Sequence, residues 1–306
     1  MILRKNGHDK RGRQRWYCKS CGASFWWRSR IPTSNTEKEW FKLWIVEGYS
    51  VRQLVYQSQY SARKLYNMIN SQLKQPPPQT ELGLKQCRYL IFDGTFLQRP
   101  RSIVALMDAG NHTLITGQYG VAENSDVQLQ GFFQRLIRDG LYPRSFTVDG
   151  NPQVIKTIRY LWPDIIVQRC LVHIQRQGLS WCRTSPRTDY ARELRKIFLK
   201  ITHINTTAER DAFLQTVVDW EKMYGVQIRI RRERGHVFSD IKRARSMLLR
   251  ALPDMFHYLE NPSIPVSTNS LEGYFSRLKT HYRQHRGLTM GKRSNYFGWY
   301  FYFVPK

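Results

Sequence analysis

CRYLIFDGTFL, residues 87–97, sets an apolar run ahead of an Asp-Gly pair, and PRSFTVDG, residues 143–150, repeats the pattern. Each reads as a strand ending in a carboxylate: Asp93 after Leu90-Ile91-Phe92, and Asp149 after Phe146-Thr147-Val148. Between them SIVALMDA (102–109) and HTLITGQYGV (112–121) read as strands, and SDVQLQGFFQRLIRDG (125–140) reads as a helix. NPQVIKTIRYLWP (151–163) reads as another helix and DIIVQRC (164–170) as a fifth strand. Three strands in hairpin order, then alternating helix and strand, predict a mixed α/β sheet. An Asp late in a buried strand projects at the sheet edge where a ligand binds, although strand ends also carry Asp in turns. Two such sites point to a shared metal site, because carboxylates brought together repel unless a divalent cation offsets their charge. A third acid, Glu272, stands in VSTNSLEGYFSRLKTHYRQHRGL (266–288). Asn269 and Ser270 can cap a helix there, Glu272 falls in its first turn, and Phe275, Leu278 and Tyr282 keep helical spacing.

The 306 residues carry 49 Lys and Arg against 23 Asp and Glu, a net charge of +26. Such an excess repels itself unless an anion offsets it, and nucleic acid is the usual polyphosphate partner. A membrane surface or an acidic protein are the lesser alternatives. The charge is polarised: residues 1–35 hold nine basic residues and one acid, Asp9, and no acid follows Glu272. A hydrophobic share of 41% excludes wholesale disorder. The five cysteines, at 18, 21, 87, 170 and 182, favour buried or metal-bound thiols in a reducing compartment over a disulfide framework. There is neither a cleavable signal nor an apolar run of about eighteen residues, so no membrane is expected. The aromatic end NYFGWYFYFVPK (295–306) reads as a packed terminal segment.

At the front, Cys18 and Cys21 form C-x-x-C followed by Gly22, the geometry of a zinc knuckle. His8 is a candidate third ligand, and no second C-x-x-C lies upstream. Residues 1–35 are therefore expected to be a partial zinc-ribbon-like segment, holding Zn²⁺ or degenerate. Residues 36–73 predict three short helices. The first, Glu37–Glu47, has Trp40, Phe41, Trp44 and Ile45 on one face and stops at Gly48. Ser50 caps the second, VRQLVYQSQ (51–59), and SARKLYNMINSQL (61–73) repeats Leu65, Met68, Ile69 and Leu73 at helical spacing. This is the plan of a helix-turn-helix, with Ser61, Arg63, Lys64 and Asn67 facing DNA. A ligand-free packing unit is the plainer reading. KQPPPQT (74–80) opens a proline-rich linker over 74–84. Asp108 also ends an apolar strand, but Ala-Gly-Asn follows it and suggests a turn. Glu123 and Asp126 are expected only to open the next helix.

FDGTF (92–96), TVDG (147–150), CLVH (170–173) and STNSLEGYFSRLK (267–279) together resemble the catalytic domain of Mutator-like transposases and their bacterial insertion-sequence relatives. The resemblance runs over about residues 85–290, and the front end is similar to the variant with a zinc-binding amino terminus. It implies a ribonuclease-H-like domain over 85–306 with a helical insertion at about 170–265, an interval that also reads by itself as mostly helical. It implies an Asp-Asp-Glu triad of Asp93, Asp149 and Glu272 holding Mg²⁺ or Mn²⁺. Its implied partner is double-stranded DNA, both terminal inverted repeats and target, which it cleaves and joins as a homodimer or higher oligomer. The implied setting is the bacterial cytoplasm, at the nucleoid. Cys170 and His173 match the family's Cys-x-x-His and are expected to be accessory to the triad, with a plain packed pair as competitor. Lys279, Arg283, His285 and Arg286 are expected to hold phosphates, and Arg229, Arg231, Arg232 and Arg234 to track a DNA backbone. The alternatives are a related metal-dependent nuclease, or a DNA-binding regulator derived from an inactive copy.

Overall fold

Side chains along FDGTF's strand alternate between two separate apolar cores, and that alternation organises the molecule. The computed structural model describes residues 2–10, 12, 14–26, 33–78, 83–98, 101–230, 236–285 and 287–305. An antiparallel sheet of β1 (Leu3–His8), β2 (Gln14–Cys18) and β3 (Ser24–Trp26) comes first. Three helices follow: α1 (Thr33–Val46), α2 (Val51–Ser58) and α3 (Ala62–Gln72). The main sheet is built from β4 (Tyr89–Gln98), β5 (Arg101–Asp108), β6 (Leu114–Val121), β7 (Ser145–Val148) and β8 (Ile166–Arg169). Helices α4 (Asp126–Arg138) and α5 (Pro152–Leu161) make the crossovers that its parallel pairs require.

The strand order is β6-β5-β4-β7-β8, antiparallel from β6 to β4 and parallel from β4 to β8. The mixed α/β sheet expected from the sequence is thus present. On one face Leu90, Phe92, Phe146 and Val148 pack on Phe132 and Phe133 of α4 and Ile158 of α5. Fully burying one such side chain is worth about 1.5–3 kcal/mol. On the other face Ile91, Ile103 and Met107 meet two later helices, α12 (Asn269–Tyr282) and α13 (Met290–Phe303).

Between β8 and α12 lies a helical block: α6 (Leu171–Cys182), α7 (Asp189–Lys200), α8 (Thr207–Trp220), α9 (Val226–Ile230), α10 (His236–Ala251) and α11 (His257–Glu260). It has its own core, with Leu194, Phe198, Phe213, Trp220 and Leu248 buried together. Arg231, Arg232 and Arg234 lie outside the described residues.

The helices α1–α3 form where local signals predict them. Ser50 caps α2 in a reciprocal box, its Oγ accepting from the Gln53 N–H at 3.3 Å while Gln53 Oε1 accepts from the Ser50 N–H at 2.8 Å. Ser61 Oγ accepts from the Lys64 N–H at 3.3 Å and caps α3. Phe41, Trp44, Leu54, Leu65 and Ile69 join the same core as Tyr274, Tyr296 and Ile91, so these helices pack directly on α12 and α13. The proline-rich stretch is held to α13 by Trp299 Nε1, which donates to the Gln75 carbonyl at 3.0 Å; residues 79–82 lie outside the described residues. The aromatic end is α13, with Tyr296, Phe297 and Tyr300 buried. Among the described residues no helix is long and apolar enough to cross a membrane.

Candidate active site

Register places the two aspartates. In the parallel pair β4–β7, Tyr89 stands opposite Ser145 and Ile91 opposite Thr147, so the same offset sets Asp93 level with Asp149. Asp93 is two residues beyond Ile91 and shares its face, toward α12. Its Oδ1 accepts the Gly94 N–H at 2.8 Å, and Asp149 Oδ1 accepts the Asn151 N–H at 2.9 Å. Asp93 is only 7% exposed. Burial, and next the charge of Asp149, push its carboxyl up to about 7, against the lowering effect of the Gly94 N–H and His173.

Glu272 comes to the same place from the first turn of α12. Asp93, Asp149, His173, Glu272 and Lys279 line one cavity of about 350 Å³. The three carboxylates share this lining without closing on a common point. Among the described residues no group of three or more His, Cys, Asp or Glu side chains is arranged to hold a metal ion. Glu272 is instead paired with α6: Arg176 Nη1 donates to Glu272 Oε2 at 3.0 Å, and His173 Nε2 stands 3.4 Å from Oε1. Glu272 Oε1 is closed off from solvent and makes no hydrogen bond.

Cys170 and His173 belong to this brace. Cys170 is fully buried at the N-cap of α6, and its Sγ accepts the Thr268 N–H at 3.4 Å. Thr268 in turn is the N-cap of α12, and its Oγ1 lies 3.4 Å from His173 Nδ1. Burial alone would raise the Cys170 thiol, but hydrogen bonds involving His173 outweigh it and the thiol falls below its usual value. The hydrogen bond to Cys170 leads the causes that raise His173 to about 9; burial opposes it, and the charges of Cys170, Asp93 and Glu272 add to it. The pair therefore ties the start of α6 to the start of α12.

A fourth carboxylate, Glu123, stands beside the aspartates. It leaves the loop between β6 and α4 and lies over Gly94, where an added Cβ would come within 2.1 Å of its Oε1. The glycine of FDGT is thus the space that Glu123 fills. Its Oε1 is shut from solvent without a hydrogen bond, and burial followed by the charge of Asp149 raises its pKa. The sequence reading assigned Glu123 only to helix opening. Its sole sequence signal is a second small residue, Gly94, on a strand thirty residues away in hairpin order. Asp108 does serve a turn, its Oδ1 accepting the Gly110 N–H at 3.4 Å. Asp126, in the first turn of α4, accepts from Thr157 Oγ1 at 2.9 Å.

Other expected residues fall elsewhere. Arg63 and Asn67 are exposed on α3, whereas Ser61 is used by the helix cap. Lys64 Nζ pairs with Glu37 at 3.3 Å and sits 3.5 Å from the centre of the Tyr60 ring. Arg283 is exposed just beyond α12, and Arg286 lies outside the described residues. His285 is not a phosphate ligand here: it is 7% exposed, its ring lies 4.1 Å from Trp44, and Nε2 stands 3.0 Å from the Trp44 carbonyl. Burial lowers it to about 4.

The zinc expectation also needs correcting at one ligand. In the β1–β2 hairpin Leu3 pairs with Cys18, while His8 pairs with Gln14 at the opposite end. At about 3.3 Å per strand residue, the register keeps His8 well away from the Cys18–Cys21 turn. Cys18 is buried and Cys21 exposed, both as free thiols.

Residues 102–243 match the model of a transposase family described as Transposase, Mutator family. The matched stretch contains Asp149, Cys170 and His173, and leaves Asp93 and Glu272 on either side. No curated protein matches the chain. The mixed α/β fold around a five-stranded sheet is consistent with the ribonuclease-H-like core of the transposase superfamily, whose members are enzymes acting on DNA.

Proposed function

We propose, from that family match, that the chain is the transposase of an insertion sequence, cleaving DNA at element ends and joining the freed 3′ hydroxyls to target DNA. One observation carries the reading: Asp93 within β4 and Asp149 just after β7 stand level on adjacent parallel strands, and both line one cavity with Glu272. The donors suit a hard divalent cation. They are carboxylate oxygens, and Oε1 of Glu123 is shut from water with no hydrogen bond. Asp93, Asp149 and Glu272 would hold Mg²⁺ or Mn²⁺, with Glu123 beside them. A bound cation would polarise the scissile phosphate and lower the pKa of the attacking hydroxyl.

The remaining work falls to the chain's own groups. His173, raised to about 9, carries a proton at neutral pH, offsets part of the acidic charge and orients Glu272. Lys279, on the cavity wall, offers an ammonium to a phosphate oxygen. In the first step a water oxygen bonds to phosphorus as the bond to O3′ breaks, leaving a 3′ hydroxyl and a 5′ phosphate. In the second, that 3′ oxygen bonds to a target phosphorus and displaces the target's own O3′. Two such centres acting on two ends make a homodimer or larger assembly part of the reading.

Recognition of the ends is assigned to a helix-turn-helix formed by α2 and α3, with Arg63 and Asn67 as its exposed readers. Cys18 and Cys21 supply two of the four ligands a structural zinc requires. The test is labelled DNA carrying the element's own ends, incubated with Mg²⁺. Nicking and joining are expected from the wild type and from none of Asp93→Asn, Asp149→Asn and Glu272→Gln. Cutting without joining would move the protein to the nuclease class. Binding without any metal-dependent cutting would move it to a regulator.

A further inference from the structure

A second cavity, of about 1310 Å³, opens beside the acidic one and shares Asp149 and His173 with it. Its walls are the turn after β7 together with α5, α6 and α10. Seven of its lining side chains are Lys or Arg and two are Asp, so it is a strongly cationic groove. Lys156 and Arg159 come from α5, and Lys242, Arg243 and Arg250 from α10. The sequence does not single these out, because the two sets lie on helices far apart in the chain and only packing gathers them.

Arg169 is the most buried cation of this lining. It is 8% exposed, its Nε is closed off from solvent without a hydrogen bond, and Nη2 reaches only the Asp149 carbonyl, at 3.5 Å. The fold clears space for it at Gly150, whose φ is +108° and where a Cβ would fall 1.8 Å from Nη2. A buried guanidinium with an unmet donor is costly, and an oxyanion satisfies both its charge and its hydrogen bond. The groove also presents Trp181, Ile155 and Met247, flat or apolar half-exposed surfaces on which bases can lie. Its volume exceeds the roughly 300–1,000 Å³ that holds a drug-sized ligand. That is room for a few nucleotides of one strand.

We propose that this groove binds a single strand of DNA, parted from its complement, with a phosphate seated on Arg169 and the strand leading to Asp149. The inference rests on the transposase reading for the polymer concerned, and adds to it a strand path and an opened duplex at the site. Arg169 and the cations of α5 and α10 then deliver a phosphodiester to the acidic centre from the side opposite α12.

The test is fluorescence anisotropy of a labelled twelve-nucleotide thymidine oligonucleotide with the full chain in EDTA, across a salt series, beside a duplex of equal length. The variant is Arg243→Ala with Arg250→Ala; both side chains are exposed on α10, Arg243 standing 3.8 Å from Asp240 and Arg250 Nε donating to the Ser246 carbonyl of its own helix at 3.0 Å, so the fold tolerates the change. Expected is about a tenfold weaker hold on the oligonucleotide, with a salt slope shallower by about 1.4, from about 0.7 per lost phosphate contact on a single strand. Arg192→Ala with Lys196→Ala, on α7 outside the groove lining, should leave both unchanged. An unchanged affinity and slope in the α10 variant would overturn the strand path. So would an equal loss on the duplex, because the groove would then not select an opened strand. In either case, metal-dependent joining by the wild type would leave the transposase reading standing. A chain that holds neither DNA would sink both.

Discussion

The two aspartates and the glutamate reach one cavity by different means. Asp93 and Asp149 are carried by neighbouring strands, and each accepts a backbone N–H from one or two residues on, so register sets their positions. Glu272 rides a helix that follows the whole helical block, and Arg176 and His173 hold its two oxygens. Asp93 is buried beside a second carboxylate with no ion pair of its own among the described residues, while the helix-borne acid is paired with cations of α6. Backbone pairing thus builds the fixed half of the centre, and side-chain ion pairs from the insertion govern the adjustable half.

Removing the fixed half should have the largest effect. Asp93→Asn or Asp149→Asn is expected to lower strand cleavage at least about a thousand-fold, the upper scale for loss of one preorganised electrostatic group. Unchanged circular dichroism would show that the fold is retained; cleavage within tenfold of wild type would remove the aspartates from the chemistry. Glu123→Gln should cost less, about 10–100-fold, the range for groups that support a metal ligand without replacing it. A loss equal to that of Asp93→Asn would promote Glu123 to a full member of the centre. Unaltered cleavage would return it to helix opening.

Stability sharpens the same contrast by sign. Asp93 is held near 7 against an ordinary 3.8, so its ionised form costs stability above pH 7 and the cost vanishes below about pH 4. In EDTA at pH 8, Asp93→Asn should therefore raise Tm by several degrees, for a gain of about 2 kcal/mol, and change little at pH 4. Glu272→Gln, which deprives Arg176 and His173 of their partner, should instead lower Tm by about a degree or two. Shifts of the same sign in calorimetry would erase the distinction between the two halves. The smallest effect is expected at Arg176→Ala. Freeing one oxygen of Glu272 should lower the Mg²⁺ concentration for half-maximal cleavage about two- to five-fold, the worth of a partly exposed ion pair. A higher requirement would mean that Arg176 helps to place Glu272 instead of restraining it.

Much of this arrangement could be read from local signals. Ser50 and Ser61 start helices because their side chains reach backbone three residues on, a contact that needs no tertiary partner. The strands that carry Asp93 and lead into Asp149 announce themselves through apolar runs, and the mixed sheet follows from their order; β4 runs on past Asp93 to Gln98 because its edge beyond the aspartate still pairs with β5. His285 was misread for the opposite reason. It stands in a basic run, and only the docking of α1 shows that its ring lies against Trp44. His8 was misread because proximity in sequence to the cysteines does not reveal the hairpin register that separates them.

By itself the sequence determined the elements, the two strand-borne acids, the glutamate at a helix start and the excess of positive charge. Those features depend on side-chain periodicity, short-range capping and composition, all of which are written within a few residues. Tertiary structure alone decided three others. Glu123 joins the aspartates across Gly94, His173 and Arg176 hold Glu272, and Arg169 lies in a cationic groove assembled from α5, α6 and α10. Each depends on contacts between segments far apart in the chain, and such contacts exist only after the cores on both faces of the sheet have closed.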